Sequence, residues 1–229
     1  MPDIFSNTND GKVESGNLSS HAAARGASTG TAAASDTSTV GIKYFKTSGR
    51  GAATVNIARS FFFFDTSGVT GTVSSATLSI TVGNNIGSVD IIPIKSDAFG
   101  GDGGTALANA DFNNVDFSTP YASQTTDHPA SETVTFTLNA TALTDIKNNN
   151  AFIVALLGFD RDFSDSEPGS DVNETLAIVF SETGGTSTDP KLSYTLQTGY
   201  SHDIMAVAAA SKGKVNTVAT ANVGKVSGT

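Results

Sequence analysis

The densest group of side chains able to do chemistry is Asp160-Arg161-Asp162-Phe163-Ser164-Asp165-Ser166-Glu167, with Asp171 and Glu174 just beyond it. Several carboxylates on one loop suit Ca²⁺, which accepts many oxygen ligands in loose geometry. The candidate ligands are Asp160, Asp162 and Asp165. Their spacing matches no EF-hand. The competing reading is a solvated acidic loop whose charge Arg161 partly offsets. Calcium is the one cofactor these residues suggest.

Other reactive groups are sparse. The three histidines, His21, His128 and His202, sit in polar, Ser- or Asp-flanked settings. No nucleophile elbow, zinc-ligand pair or phosphate loop occurs. Gly100-Gly101-Asp102-Gly103-Gly104 lacks the lysine of a phosphate loop and opens no helix, so it reads as a turn. The chain has no cysteine, which excludes disulfides and thiolate chemistry. A non-enzymatic protein is expected.

A net charge of −9 and the lack of any Lys/Arg cluster argue against a nucleic-acid partner. No window is long and apolar enough for a membrane helix. Met1-Pro2-Asp3-Ile4-Phe5-Ser6 shows no basic stretch leading into an apolar run, so export by a secretory signal is not expected.

The elements that must position any site are strands. Phe61-Phe62-Phe63-Phe64 holds 4 of the 14 phenylalanines. A strand sends Phe61 and Phe63 to one face and Phe62 and Phe64 to the other. That predicts a central strand over 57–64, paired on both sides and covered on both faces. Asp65-Thr66-Ser67-Gly68 follows as a turn. Ser75 to Val82 alternates cleanly, with Ala76, Leu78, Ile80 and Val82 on one face, and Gly83-Asn84-Asn85 is read as its end. Further strands are expected at 40–46, 89–94, 133–138, 151–157, 175–180 and 191–196. Pro93 places the 89–94 strand at an edge or at its own end. Asn139 caps a short helix over 140–147. Residues 96–131 read as a long irregular loop with one helical turn near 106–111.

About eight strands with irregular connections indicate an all-β fold, an antiparallel β-sandwich or jelly roll. Residues 1–38, small and polar, read as an N-terminal arm or edge strands, residues 39–198 as the sandwich, and residues 199–229 as a C-terminal tail. In the tail, Val207-Ala-Ala-Ala-Ser is echoed by Val218-Ala-Thr-Ala-Asn, and Gly213-Lys-Val215 by Gly224-Lys-Val226. An eleven-residue period allows a supercoiled helix, but the glycines and β-branched residues equally allow an extended repeat. Two repeats cannot build a core alone. Val207, Val215, Val218 and Val226 are therefore candidate assembly contacts on a neighbouring copy.

Arg59-Ser-Phe-Phe-Phe-Phe-Asp65-Thr-Ser-Gly-Val, Val73-Ser-Ser-Ala-Thr-Leu-Ser-Ile-Thr-Val, Thr135-Phe-Thr-Leu-Asn-Ala-Thr-Ala-Leu-Thr-Asp145-Ile and Asp189-Pro-Lys-Leu-Ser-Tyr-Thr-Leu occur in the order found in DNRLRE-type domains. The block from about Ile57 to Leu196 resembles these carbohydrate-binding-module-like jelly rolls of bacterial surface and phage virion proteins. The tail resembles C-terminal repeats of environmental phage proteins. The resemblance implies a jelly roll in a virion or surface context. The expectation is a virion structural protein, a capsid decoration or tail-fibre subunit. It would be made in the host cytoplasm and would assemble through its arms, as a homotrimer, with itself and other virion proteins. The alternative is a carbohydrate- or receptor-binding module. That would need an exposed aromatic cleft for a cell-surface glycan, built from Phe99, Phe112, Phe117 and Tyr121 of the long loop.

Overall fold

The computed structural model describes residues 2–34, 39–49, 53–126, 128–181 and 187–197, with the pairs 214–215 and 218–219. The chain divides into two compact units, Met1–Thr195 and Leu196–Thr229.

In chain order the first unit contains β1 (Asp3–Phe5), β2 (Gly11–Glu14), helix α1 (His21–Arg25), β3 (Thr31–Ala34), β4 (Thr39–Thr47), β5 (Thr54–Asp65), β6 (Val73–Ile86) and β7 (Ile91–Ser96). It continues with β8 (Val115–Pro120), β9 (Thr133–Thr137), helix α2 (Ala140–Asn148), β10 (Ala151–Gly158), β11 (Val172–Ile178) and β12 (Lys191–Leu196). These strands form one connected sheet of twelve, following the path β1-β12-β6-β11-β4-β5-β10-β7-β8, with β2, β3 and β9 attached beside it. The pairs whose register is defined are antiparallel. The fold is all-β, as the alternating sequence pattern predicts.

The phenylalanine strand is the centre. β5 pairs with β4 along residues 54–58, with β2 along 58–61 and with β10 along 60–65. Its residues from Val55 to Phe62 are all buried, Phe63 is half-buried and Phe64 is buried. Both faces are covered. On one face Val55, Ile57 and Phe61 join Ile94, Ile153, Phe99 and Phe112 in a continuous apolar cluster. On the other, Phe62 stacks on Phe180 with ring centroids 5.7 Å apart, and Phe64 meets Phe152 at 6.3 Å. β6 serves two pairings: Thr77–Thr81 run beside β9, while Val82, Asn85 and Ile86 run beside β11. That second pairing corrects the expected stop at Gly83. The backbone hydrogen bonds offered by β11 keep the strand going through a polar stretch that side-chain pattern alone reads as a turn.

Four strands go beyond the eight expected: β1, β2, β3 and β8. Three lie in residues 1–38, so the N-terminal segment is woven into the sheet of its own chain. β1 pairs with β12, and β2 pairs with both β3 and β5. Helix α1 is set by Ser20, whose hydroxyl accepts from the Ala23 N–H at 3.1 Å, with Gly26 closing the turn. The long loop is also largely structured, because β8 pairs with β7 inside it. β7 therefore lies between β10 and β8 and not at an edge. Pro93 is tolerated because its carbonyl accepts from the Tyr121 N–H at 2.9 Å. Its nitrogen turns to that same side, beyond the Pro120 end of β8, where no ladder bond is needed. Asn139 caps α2 by accepting from the Ala142 N–H at 3.1 Å, as its sequence position predicts.

In the second unit, β13 (Lys214–Val215) and β14 (Val218–Ala219) are antiparallel, with Val215 directly opposite Val218. Where it is described, the repeat is extended and not helical.

Candidate functional site

The acidic loop folds inward around one buried cation. After β10 the chain makes a wide turn over Phe159–Phe163, closed by the Ser164 N–H on the Phe159 carbonyl at 2.8 Å. The turn leaves Asp160 exposed and drives Asp162 into the interior, 2 % exposed. There Asp162 meets Arg59 of β5, which is fully buried. The contact is bidentate: Nε to Oδ2 and Nη2 to Oδ1, both 2.7 Å. Two further guanidinium protons go to backbone carbonyls, Nη1 to Phe112 at 2.5 Å and Nη2 to Arg25 at 2.9 Å. The Phe112 ring lies 4.0 Å from the guanidinium carbon. Two ionised groups can stay in an apolar core only when their lone pairs and protons are met in this way.

Helix α1 closes the loop from outside. Arg25 Nε donates to the Asp162 carbonyl at 2.6 Å, and its guanidinium lies 4.2 Å from the Phe117 ring centre. His21 is held between the Tyr44 hydroxyl and Asp165 Oδ1, each at 2.9 Å. Lys46 of β4 reaches Glu167 at 2.8 Å, and Arg161 reaches Glu174 at 2.8 Å. The candidate calcium ligands are thus separated: Asp162 faces Arg59, Asp165 faces His21, and Asp160 faces solvent. Among the described residues, no three His, Cys, Asp or Glu side chains converge as a metal group would require. The acidic loop here is a clasp that fastens α1 to β5.

The four rings named for a glycan platform are placed differently from that expectation. Phe99, Phe112 and Tyr121 are 0 %, 0 % and 2 % exposed. Phe99 packs on Phe63, Phe112 lies over Arg59, and Tyr121 packs on Phe152 while its hydroxyl donates to Asp145 at 2.7 Å. Phe117 is half-buried between Arg25 and Phe163. A stacking platform needs a free ring face, and the core covers these. The glycine turn has a packing reason as well: Gly103, at φ +78°, lies flat on the Phe63 ring, where a Cβ would collide.

A polar cleft of about 480 Å³ opens beside Tyr121, lined by Lys95, Asp97, Asp102 and Asn148 to Asn150 among others. Among the assembly candidates, Val215 and Val218 are register partners in the tail pair. Val207 and Val226 lie outside the described residues.

A second buried carboxylate fastens the N-terminal segment. Asp10, 0 % exposed, accepts from the Ser6 hydroxyl at 2.5 Å and from the Ser181 N–H at 3.1 Å. Burial pushes its pKa up from 3.8 to about 7, against the pull of the Ser6 and Ser181 hydrogen bonds. The folded state then binds the proton more tightly than the unfolded chain. Its contribution to stability is complete below about pH 4 and is lost as pH rises through 7. Asp10→Asn is expected to flatten the fall in stability between pH 5 and 8, by on the order of a few kcal/mol. Urea unfolding at both pH values measures it. An unchanged slope would place the titration elsewhere.

Compared with known proteins, the chain matches no family model and no curated protein sequence.

Proposed function

We propose that this chain is a non-enzymatic structural subunit of a virion, a jelly-roll body that joins a symmetric assembly through its C-terminal repeats. The observation that carries the reading is the contrast between the two units. In the body, the rings and the buried ion pair are taken up by its own core. Among the described residues, Ile86 is the only exposed large apolar side chain, at 47 %. The tail is a separate unit, and two short repeats cannot bury a core by themselves. From residue 204 on, the tail carries Lys212, Lys214 and Lys225 and no Asp or Glu, so a basic stretch belongs to an acidic chain. That complementarity favours contact between a tail and a neighbouring body over repulsion between equal charges. The N-terminal segment is assigned to the body and not to the assembly contacts.

Deleting residues 204–229 is expected to leave the body folded and to abolish oligomer formation, read by light scattering on a sizing column. Normal assembly of the truncated chain sinks the proposal.

The second reading, a glycan- or receptor-binding module, is favoured by the polar cleft beside Tyr121. Its carboxylates, amides and Lys95 offer the hydrogen bonds that a polyhydroxylated ligand takes. Glycan-array binding that is lost in Asn150→Ala would support it.

A further inference from the structure

Two strands converge on the face of β5 that carries Asn56 and Ala58. β4 sets Phe45 opposite Asn56 and Lys43 opposite Ala58. β2 sets Glu14 opposite Ala58 from its own side. Residues paired directly across an antiparallel ladder share a face, and diagonal neighbours stay within reach of long side chains. Lys43 and Asn56 therefore both reach Glu14. Glu14 Oε2 lies 3.7 Å from Lys43 Nζ and accepts from Asn56 Nδ2 at 3.4 Å. One carboxylate oxygen thus bridges an amine and a carboxamide.

The Asn56 carboxamide is shut away from water. Asn56 is 6 % exposed. Its Nδ2 also donates to Asn17 Oδ1 at 3.3 Å, while its Oδ1 is buried without a hydrogen-bond partner among the described residues. An unpaired buried carbonyl is costly and asks for a reason. The Phe45 ring centre lies 6.0 Å from Lys43 Nζ and supplies an apolar wall. Lys12 occupies the other carboxylate oxygen, Oε1, at 2.5 Å. It pairs with Ser60, farther along β5 from Asn56, so Lys43 is the lysine placed to react.

We propose that Lys43 and Asn56 become joined by an intramolecular isopeptide bond, with Glu14 as the acid–base group that forms it. The Glu14 carboxylate takes a proton from the Lys43 ammonium. The freed Nζ lone pair attacks Asn56 Cγ, and the new C–N bond forms. Glu14 passes its proton to Nδ2 as the Cγ–Nδ2 bond breaks. Nζ gives up two of its three protons, both end on the departing nitrogen, and ammonium leaves. Nothing is oxidised or reduced. The product covalently closes the β4–β5 hairpin in a chain that has no cysteine for a disulfide.

Intact-mass spectrometry of the purified full-length chain tests this. The expected mass is below that of the sequence by one ammonia, and a tryptic digest yields a branched peptide joining Lys43 to Asn56. Lys43→Arg and Glu14→Gln each restore the full mass, and Lys12→Arg keeps the deficit. Circular dichroism confirms that each variant is folded. Asn56→Asp supplies an independent readout, since the same reaction then releases water and the deficit changes to one water. A wild-type chain at full mass after prolonged incubation overturns the proposal. So does a deficit that survives Lys43→Arg, or one that fragmentation maps to an asparagine imide.

Discussion

Arg59→Ala is expected to cost about 3–5 kcal/mol of folding stability, because it leaves the Asp162 carboxylate buried without its partner. The loss has several parts. The variant removes both 2.7 Å contacts to Asp162 and uncaps the Phe112 and Arg25 carbonyls. It also empties the space beneath the Phe112 ring. Arg59→Lys does not rescue it, since an ammonium cannot reproduce the planar fork that meets a carboxylate and two carbonyls together. The decisive comparison is the pair Arg59→Met with Asp162→Leu. Removing both charges takes away the desolvation penalty, and the double variant should recover a large part of what either single change loses. Urea unfolding of the four chains completes the cycle. Strictly additive losses would mean that the two residues do not act as a pair.

Removing the Arg59 guanidinium should also loosen a defined part of the molecule. Arg59 holds the Arg25 carbonyl, and Arg25 in turn holds the Asp162 carbonyl and covers Phe117. Helix α1 and the 159–163 turn share one set of contacts. Hydrogen exchange in both should rise together in Arg59→Met/Asp162→Leu, while the β5–β10 ladder stays protected.

Much of the body was legible from side-chain period. The alternation of Ser75–Val82, the phenylalanine run and the Asn139 cap each state a local preference that the fold keeps. The N-terminal segment was not legible by that route. Its strands are three or four residues long and made of small or mixed side chains, so they are strands because β12 offers β1 a ladder, β5 offers one to β2, and β2 offers one to β3. A local signal did exist for α1, since Ser20 before His-Ala-Ala-Ala-Arg and Gly26 after it carry a helix start and stop. Arg59 also left a trace. It shares a strand face with Val55, Ile57 and Phe61, and a charge on an apolar face implies a buried partner. The identity of that partner, 103 residues away, depends on the turn that aims Asp162 inward, and no spacing rule encodes it. The acidic loop and the aromatic loop share one limit of reading by composition. Composition shows which groups are present, and only packing shows which are already engaged.

Phe62→Asp is expected to abolish soluble folding. Phe62 is fully buried, opposite Val154 of β10 and stacked on Phe180. Losing the ring costs about 3–5 kcal/mol, as for other large-to-small core changes. The new carboxylate takes the place of a ring packed on Phe180, so it must be buried unpaired or protonated, at a further cost of several kcal/mol. The total approaches the whole stability of an ordinary domain, about 5–15 kcal/mol. Phe63→Asp separates the two faces of the run. Phe63 is only half-buried, with its ring between Phe99 and the Gly103 turn. A carboxylate there can reach water once that turn moves, so the variant should stay soluble with lowered stability. Expression, solubility and the unfolding midpoint of the two chains decide the matter. Equal behaviour, or a folded Phe62→Asp chain, would mean that β5 does not bury its even-numbered face as described.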